Sequence, residues 1–154
     1  MTNAPLTGFD WQLLQLLQQD GRASISELAK QLGRSRSTVT EQIQRLRDMG
    51  VITGVAATLN EEKLGFGISA FVRLSAGSSR HRQIVSAVCE IPEVAECHVL
   101  TGSELLMIRL VAKDMAHLRS LVDTLTQYGS THTDVIFSTV KSELKIDPSF
   151  HSLT

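Results

Sequence analysis

A run of arginine and hydroxyl side chains between Arg34 and Arg47 is the part of the sequence whose residue types point most directly to chemistry. Guanidinium groups bind phosphate oxygens, and hydroxyl and amide side chains form hydrogen bonds with the edges of bases. From Lys30 to Arg47 five cations stand against one anion, Glu41, so this tract carries +4 while the whole chain carries −1. A near-neutral chain with one basic tract favours a protein that binds duplex DNA through a few phosphate contacts.

Two short amphipathic helices joined by a turn are predicted to position this tract. Ser24 and Glu27 have the spacing of a capping box, and Gly33 supplies the flexible backbone of a sharp turn. The apolar residues of the first helix share one face and are Ile25, Leu28, Ala29 and Leu32. This layout is typical of a helix-turn-helix, whose second helix enters the DNA major groove.

The second helix is predicted to begin after Ser35, a good N-cap residue, and to stop at Gly50. Its buried stripe consists of Val39, Ile43 and Leu46. The candidates for reading bases are Arg36, Ser37, Thr38 and Gln44, those for holding phosphates are Arg34, Arg45 and Arg47, and Ser35 and Thr40 complete the DNA-binding set. The alternative for any one of them is an ordinary solvated surface residue. Val51 and Ile52 are expected to begin the edge of a wing.

The whole chain of 154 residues is long enough for one domain or two small ones, and 42% of it is apolar. No apolar run approaches the roughly 20 residues that span a membrane, and no secretory signal pattern opens the chain. Cys89 and Cys97 lack the C-x-x-C spacing of a zinc ribbon. We therefore expect a cytoplasmic protein with reduced thiols and no membrane partner.

Enzymatic and metal-binding classes find little support in the sequence. It contains no Gly-rich phosphate loop, no G-x-S-x-G motif and no acid pair at a defined catalytic spacing. His98 follows Cys97, but neighbouring residues of a strand face opposite ways, so the two cannot easily bind one ion. We expect no catalytic residues, no metal and no cofactor.

The domain boundaries are predicted at residues 1–59 for the helix-turn-helix domain, 60–67 for a connector and 68–154 for a second domain. An apolar helix would support the motif from behind through Phe9, Leu13, Leu14, Leu16 and Leu17. For Trp11, the only tryptophan, the core is favoured over a partly exposed position. In the second domain the hydrophobic pattern alternates between that of strands and that of helices. It predicts a strand at 68–75, a helix at 81–91, two strands around Gly102 and Ser103, a helix capped by Asp114 whose buried stripe begins at Met115, and a strand from Thr131 to Val140. The order βαββαβ predicts a ferredoxin-like fold, and the chain as a whole is α+β.

The strands of the second domain predict a partner. Helices cover one face of such a sheet, and a solvated second face should be polar. Apolar residues lie at successive positions in these strands instead: Ala70, Phe71, Val72 and Leu74 in the first, and Leu105, Leu106, Met107 and Ile108 in the third. We therefore expect another subunit to cover the second face, and a homodimer would present two DNA-binding modules to two half-sites.

Taken together, the two halves resemble the Lrp/AsnC family of bacterial and archaeal transcription regulators, from about Phe9 to Lys141. The matching segments are GRASISELAKQLGRSRSTV at 21–39, RL…GVI at 45–52, KLGFG at 63–67, VLTG at 99–102 and THT…VK at 131–141. The resemblance implies an N-terminal winged helix-turn-helix, dimers that commonly assemble into octamers, and a response to an amino acid or related metabolite. It places the candidate effector-binding residues at Leu100, Thr101, Gly102, Ser103, Glu104, Thr131 and Thr133. Residue by residue, a plain hairpin turn is the alternative at Gly102, and ordinary strand threonines are the alternative at Thr131 and Thr133.

Several positions depart from the family pattern. Arg34 replaces an apolar residue, Gln42 an arginine, and Tyr128-Gly129-Ser130 the usual P-G-V. Leu105 and Leu106 replace an acid and a tyrosine of the ligand pocket, and Glu104 lies one position earlier, which in a strand would turn it to the other face. The pocket would then suit a less polar ligand or be vestigial.

Three functional hypotheses follow from the sequence. The first is a transcription regulator that responds to a ligand, and the second is an effector-independent protein that acts on DNA architecture. The third is an enzyme or metabolite carrier that uses the ferredoxin-like half.

Overall fold

A computed structural model describes residues 5–77, 80–142 and 145–149. Its contacts divide the chain into two compact units, residues 1–58 with 142–154, and residues 59–141. The predicted domains placed everything from residue 68 onward together, whereas here the C-terminal segment groups with the first unit. Its anchor is Gln18, whose side-chain amide donates to the Ile146 carbonyl and accepts from the Ile146 N–H, both at 2.8 Å.

The first unit contains three helices, α1 (Gly8–Gln19), α2 (Ile25–Leu32) and α3 (Arg36–Asp48). Each has a hydroxyl N-cap: Thr7 for α1, Ser24 for α2 and Ser35 for α3. The Ser24 hydroxyl accepts from the Glu27 N–H, and the Glu27 carboxylate accepts in return from the Ser24 N–H, which confirms the predicted capping box. Between α2 and α3 Gly33 adopts a left-handed backbone with φ of 61°, a conformation that costs glycine little.

The core of this unit forms where the three helices meet. Its buried apolar residues are Leu13, Leu14, Leu28, Ala29, Val39, Ile43 and Leu46. The stripe predicted for α3 is thus confirmed. Trp11 packs against this core and is half-buried, which is the alternative to the core position that its sequence favoured.

The segment after α3 was expected to begin the edge of a wing, but residues 51–59 form no β-strand. The Val51 and Ile52 N–H groups donate to the Leu46 carbonyl, at 2.9 and 3.1 Å, and both side chains lie against the helical core. Without a partner strand a single extended segment has no ladder to join, so these residues instead cap the end of α3.

The second unit is a four-stranded antiparallel sheet with two helices. Its elements are a 3-10 helix (Glu62–Leu64), β1 (Ile68–Ser75), α4 (His81–Cys89), β2 (Val94–Val99), β3 (Leu106–Ala112), α5 (Met115–Thr126) and β4 (Ser130–Val135). The strand order is β2-β3-β1-β4, and all three pairings are antiparallel. This is the βαββαβ arrangement predicted from the sequence.

Alternation along the strands fixes the two faces of the sheet. Ala70, Val72 and Leu74 of β1 are buried beneath the helices, together with Leu106, Ile108 and Leu110 of β3. The sequence pattern places Leu105 in the third strand, where alternation would turn it to the second face together with Met107, but it is 4% exposed and belongs to the same core. It precedes β3, and its N–H bonds to the Leu74 carbonyl at 2.7 Å, so strand alternation does not fix its direction.

Two further predictions for this unit need correction. Asp114 caps α5 as expected, but Met115, placed in its buried stripe, is 59% exposed. The last strand ends at Val135 instead of Val140, and Phe137 and Val140 are fully solvated. The reason is the partner strand: the Ile136 N–H donates to the Ser69 carbonyl, and β1 begins only one residue before Ser69, so the strand offers no further partner.

Candidate DNA-binding and effector sites

The N-terminal end of α3 is solvent-exposed and rich in donors. The Ser35 hydroxyl accepts from the Thr38 N–H at 3.1 Å and lies 2.8 Å from the hydroxyls of both Ser37 and Thr38. Three hydroxyls thus cluster at the first turn, where backbone N–H groups and the positive end of the helix dipole favour an anion. The cluster suits contact with a phosphate or a base edge.

The predicted arginines fall into two groups. Arg36 and Arg47 are exposed and form no ion pair with any residue in the described part of the chain. Arg34 is also exposed, and its guanidinium carbon lies 5.4 Å from the centre of the Phe9 ring, a distance at which a cation–π attraction is expected. These three cations are available to an approaching anion. Arg45 differs from them.

Arg45 forms an ion pair with Asp10, at the start of α1. Its Nη2 atom lies 2.7 Å from Oδ2 and 2.9 Å from Oδ1 of Asp10. Asp10 is fully buried, and its carboxylate also accepts from the Thr7 N–H and hydroxyl at 2.7 Å and from the Gln42 amide. Burial raises the pKa of the Asp10 carboxyl, but the donors from Thr7, Arg45 and Gln42 outweigh it, so that the pKa lies below its ordinary value of 3.8.

Sequence reasoning missed Asp10. The local signal was present, because Thr7 and Asp10 have the capping-box spacing and the box forms in the structure. What the spacing does not reveal is that the same carboxylate receives two side chains of α3, Gln42 and Arg45. Gln42, at a position where the resemblance leads one to expect arginine, therefore serves as a donor to the buried Asp10 carboxylate.

The other two polar candidates on α3 bond within the helix. The Thr40 hydroxyl donates to the Arg36 carbonyl at 2.9 Å, and the Gln44 amide donates to Asp48 at 2.8 Å. Both residues are exposed. Gln44 can still turn toward a base, since a side-chain bond on an exposed helix face is readily exchanged.

The predicted effector residues lie at one end of the sheet. Leu100 to Glu104 connect β2 with β3, closed by a 3.0 Å bond from the Leu100 N–H to the Leu105 carbonyl. Leu74 of β1 pairs with Leu106 on one side and with Thr131 on the other. The segment from Leu100 to Glu104 and Thr131 therefore lie at the same end of the sheet, separated by β1. Thr131 and Thr133 are half-buried on the side of the sheet that the helices cover.

Glu104 lies in the connection and not in β3, so the alternation argument against it does not apply. Hydrogen bonds from the Ser103 hydroxyl and then from its own N–H lower the pKa of Glu104, with smaller effects from Arg73 and His132. Its carboxylate is therefore ionised at neutral pH. Leu105 and Leu106 point into the core, and neither lines this end as the acid and tyrosine of the family would.

The outer face of the sheet is mostly charged. Arg109 donates to Glu61 at 3.0 Å and to Glu96 at 2.8 Å, and Arg73 donates to Asp134 at 3.1 Å. Among these ion pairs lie Phe71, which is 36% exposed, and Met107, which is half-buried. With Leu105 in the core, this face is more polar than the sequence indicated.

Cys97 and His98 lie on opposite faces of β2, opposite Ile108 and Met107 respectively. Within the residues that the structure describes, no group of three or more His, Cys, Asp or Glu side chains could hold a metal ion. In the same residues no helix is long and apolar enough to cross a membrane.

Comparison with known sequences assigns both units. Residues 69–146 match the model of the Lrp/AsnC ligand-binding domain, and residues 6–53 match that of a winged helix-turn-helix DNA-binding domain. The chain belongs to the Lrp/AsnC family. It is a transcriptional regulator with a DNA-binding helix-turn-helix and a Lrp/AsnC ligand-binding domain, as the resemblance implied.

Full-length relatives support this family assignment. The chain is 32% identical to a proline dehydrogenase transcriptional activator of Rhizobium radiobacter, over 88% of this chain and 92% of the relative. It is 28% identical to the HTH-type transcriptional regulator FL11 of Pyrococcus horikoshii, over 92% and 96% respectively. A transcriptional regulator from Neisseria meningitidis, solved in complex with L-Met, has a TM-score of 0.86 at 28% identity and covers 97% of this chain and 100% of its own.

Proposed function

We propose that this Lrp/AsnC-family regulator reads DNA with the exposed side of α3 and is modulated by a small metabolite that carries an amino group. The observation that carries the first part is the N-terminal end of α3, where hydroxyls and free guanidinium groups lie on solvent-exposed positions. Arg36, Ser37, Thr38 and Gln44 face base edges, while Arg34 and Arg47 hold phosphates on either side.

The test for DNA recognition is a selection of binding duplexes from a random pool, followed by titration of the selected duplex and a scrambled one. We expect the selected duplex to bind at least about 10³-fold more tightly, as specific sites do. Arg36→Ala should lose most of this preference. The matched control is Arg119→Ala, which removes one exposed cation from α5. A pool that yields no preferred duplex, or equal losses for both variants, would contradict the proposal.

The effector class follows from Glu104. Its ionised carboxylate lies at the end of the sheet with the other effector candidates, and it can pair with the ammonium group of an amino acid. The L-Met bound by the Neisseria meningitidis regulator is a ligand of this class. Leu105 and Leu106 contribute no polar group, so Glu104 is the acid that we assign to this role.

Thermal unfolding in the presence of single amino acids and of their 2-oxo acid analogues tests this assignment. A ligand that binds only the folded protein raises the melting temperature. We expect one or more amino acids to do so, their oxo acids not to, and Glu104→Gln to abolish the effect. Glu62→Gln, an exposed acid of the 3-10 helix, is the control. A shift that survives Glu104→Gln would refute the role of Glu104, and DNA binding without any stabilising ligand would favour the effector-independent alternative.

We also propose a homodimer that pairs through the outer face of the sheet. Phe71 and Met107 give that face an apolar centre within complementary ion pairs, a composition found at protein interfaces. Sedimentation equilibrium should give a dimer or a higher even-numbered species. Phe71→Asp should shift it toward monomer, whereas Met115→Asp, on an exposed position of α5, should not. A wild-type monomer at micromolar concentration would refute this proposal. The cytoplasmic location stays a prediction.

A further inference from the structure

We propose that Asp10 is a positioning residue for DNA recognition: it holds Arg45 by one edge of the guanidinium and leaves the other edge for a DNA phosphate. This inference rests on the proposed DNA contact by α3. It extends that proposal to a buried residue of another helix, which touches no DNA itself.

The first step is the burial of Asp10. It is the only charged or polar residue that the described part of the chain buries fully. A buried carboxylate is costly unless it is paired and hydrogen-bonded, and an apolar side chain of similar size often stabilises a core equally well. The capping box with Thr7 explains an acid at this position of α1, but it does not explain why two side chains of α3 converge on the same carboxylate. Asp10 also orients these two side chains.

The second step is the set of donors. Thr7 belongs to the N-cap of α1, whereas Gln42 and Arg45 belong to α3 and lie three residues apart on the same side of it. One carboxylate thus joins the start of α1 to two consecutive turns of the recognition helix. This arrangement fixes the rotation of α3 about its own axis, which decides where its exposed side chains point.

The third step is the guanidinium group of Arg45. Only Nη2 contacts Asp10, and no other partner of this side chain is found among the described residues. The side chain is 42% exposed, so the remaining N–H groups face solvent on the flank of α3. Because guanidinium is planar and has five N–H donors in a fixed fork, holding one edge also sets the direction of the other.

A competing role for Asp10 predicts the opposite outcome. If the acid only neutralised Arg45, removing its charge would strengthen DNA binding in general, since phosphate attraction grows with positive charge. If it positions Arg45, removing the charge should weaken the selected duplex while leaving the scrambled duplex equal or stronger. The ratio of the two affinities separates these roles, and it is insensitive to the fraction of protein that is folded.

The experiment measures that ratio for Asp10→Asn and Arg45→Lys against the wild-type protein, with the duplex that the wild type selects. We expect each variant to lower the ratio about tenfold, the loss of one charge-assisted hydrogen bond. Arg45→Lys keeps the net charge and a cationic partner for Asp10, so it remains informative if Asp10→Asn does not fold. Asp123→Asn, an exposed acid of α5, is the control for net charge.

Three results would overturn the inference. If the affinity ratio of Arg45→Lys stays at the wild-type value, the second edge of the Arg45 guanidinium is not directed at a DNA phosphate. A rise in affinity for both duplexes in Asp10→Asn, but not in Asp123→Asn, establishes neutralisation instead. An equal loss in Asp123→Asn shows that only net charge matters. Failure of the underlying DNA-reading proposal is distinguishable, because then the wild-type protein itself selects no duplex.

Discussion

Gly129 precedes β4, and replacing it by alanine should destabilise the second unit. A Cβ built on Gly129 would lie well under 3.0 Å from the carbonyl oxygen of Ser75 and 3.2 Å from the Ala76 Cβ. The obstacle is backbone, which cannot rotate away as a flexible side chain would, and Ser75 is the residue that pairs with Ser130. An added methyl group therefore forces the start of β4, next to Thr131, away from β1.

Over-packing of this kind costs about 1–3 kcal/mol. For a domain of the size of residues 59–141, each kcal/mol lowers the melting temperature by about 4–8 °C. We therefore expect Gly129→Ala to melt at least about 4 °C below the wild type, as followed by circular dichroism. The stabilisation by a bound effector should also decrease, because Thr131 and Thr133 lie on the displaced strand.

The control for this substitution is Gly67→Ala in the same unit. Its Cβ would lie 3.7 Å from the Lys113 carbonyl oxygen, an ordinary van der Waals contact, so its melting temperature should stay near the wild-type value. If Gly129→Ala has the same melting temperature as Gly67→Ala and the wild type, the close approach of Gly129 to Ser75 does not constrain the sheet and the reasoning fails.

Four further predictions concern other parts of the molecule. Ser24→Ala removes the hydroxyl of a capping box and should lower the free energy of unfolding by about 1 kcal/mol in urea denaturation. Arg47→Ala should reduce the slope of log affinity for DNA against log salt concentration by about 0.9, and an unchanged slope would exclude a phosphate contact. Since the pKa of Asp10 is lowered on folding, its contribution to stability is present above pH 3.8 and is lost as the pH falls through the lower folded-state pKa; Asp10→Asn should flatten this acid dependence. Burial, and then the neighbouring Cys89, raise the pKa of the Cys97 thiol to about 11, so Cys97 should react with iodoacetamide more slowly than the exposed Cys89 at pH 8, as mass spectrometry of each peptide can measure.

The elements of the fold were predictable where their signals are local. Ser24, Ser35 and Asp114 were predicted as caps from spacing alone, and all three accept the expected backbone N–H. The end of β4 was not predictable in this way. It depends on where β1 begins, more than sixty residues earlier, and no property of residues 136–140 reveals that.

In the candidate DNA-binding site, too, features with a local signal were predictable and features that depend on distant residues were not. The exposed tip of α3 follows from a helical pattern and a run of polar residues, which the sequence contains. The partner of Arg45 is 35 residues away, on another helix, and a basic side chain gives no sign of which acid it will meet. Leu105 was misplaced for a related reason: the connection before β3 decides its direction, and strand alternation applies only from Leu106 onward.

The return of the C-terminal segment to the first unit has a practical consequence for work on fragments. Ile146 lines an apolar cavity of about 250 Å³ together with Trp11, Leu14, Val51 and Val55. The Gln18 side chain forms hydrogen bonds with both the N–H and the carbonyl of Ile146. A fragment cut at Thr58 to isolate the helical part would uncover this apolar surface and leave the Gln18 amide to water. Joining residues 142–149 to such a fragment through a short glycine-rich linker would restore the covered surface, and the fluorescence of Trp11, the single tryptophan, would report whether it had done so.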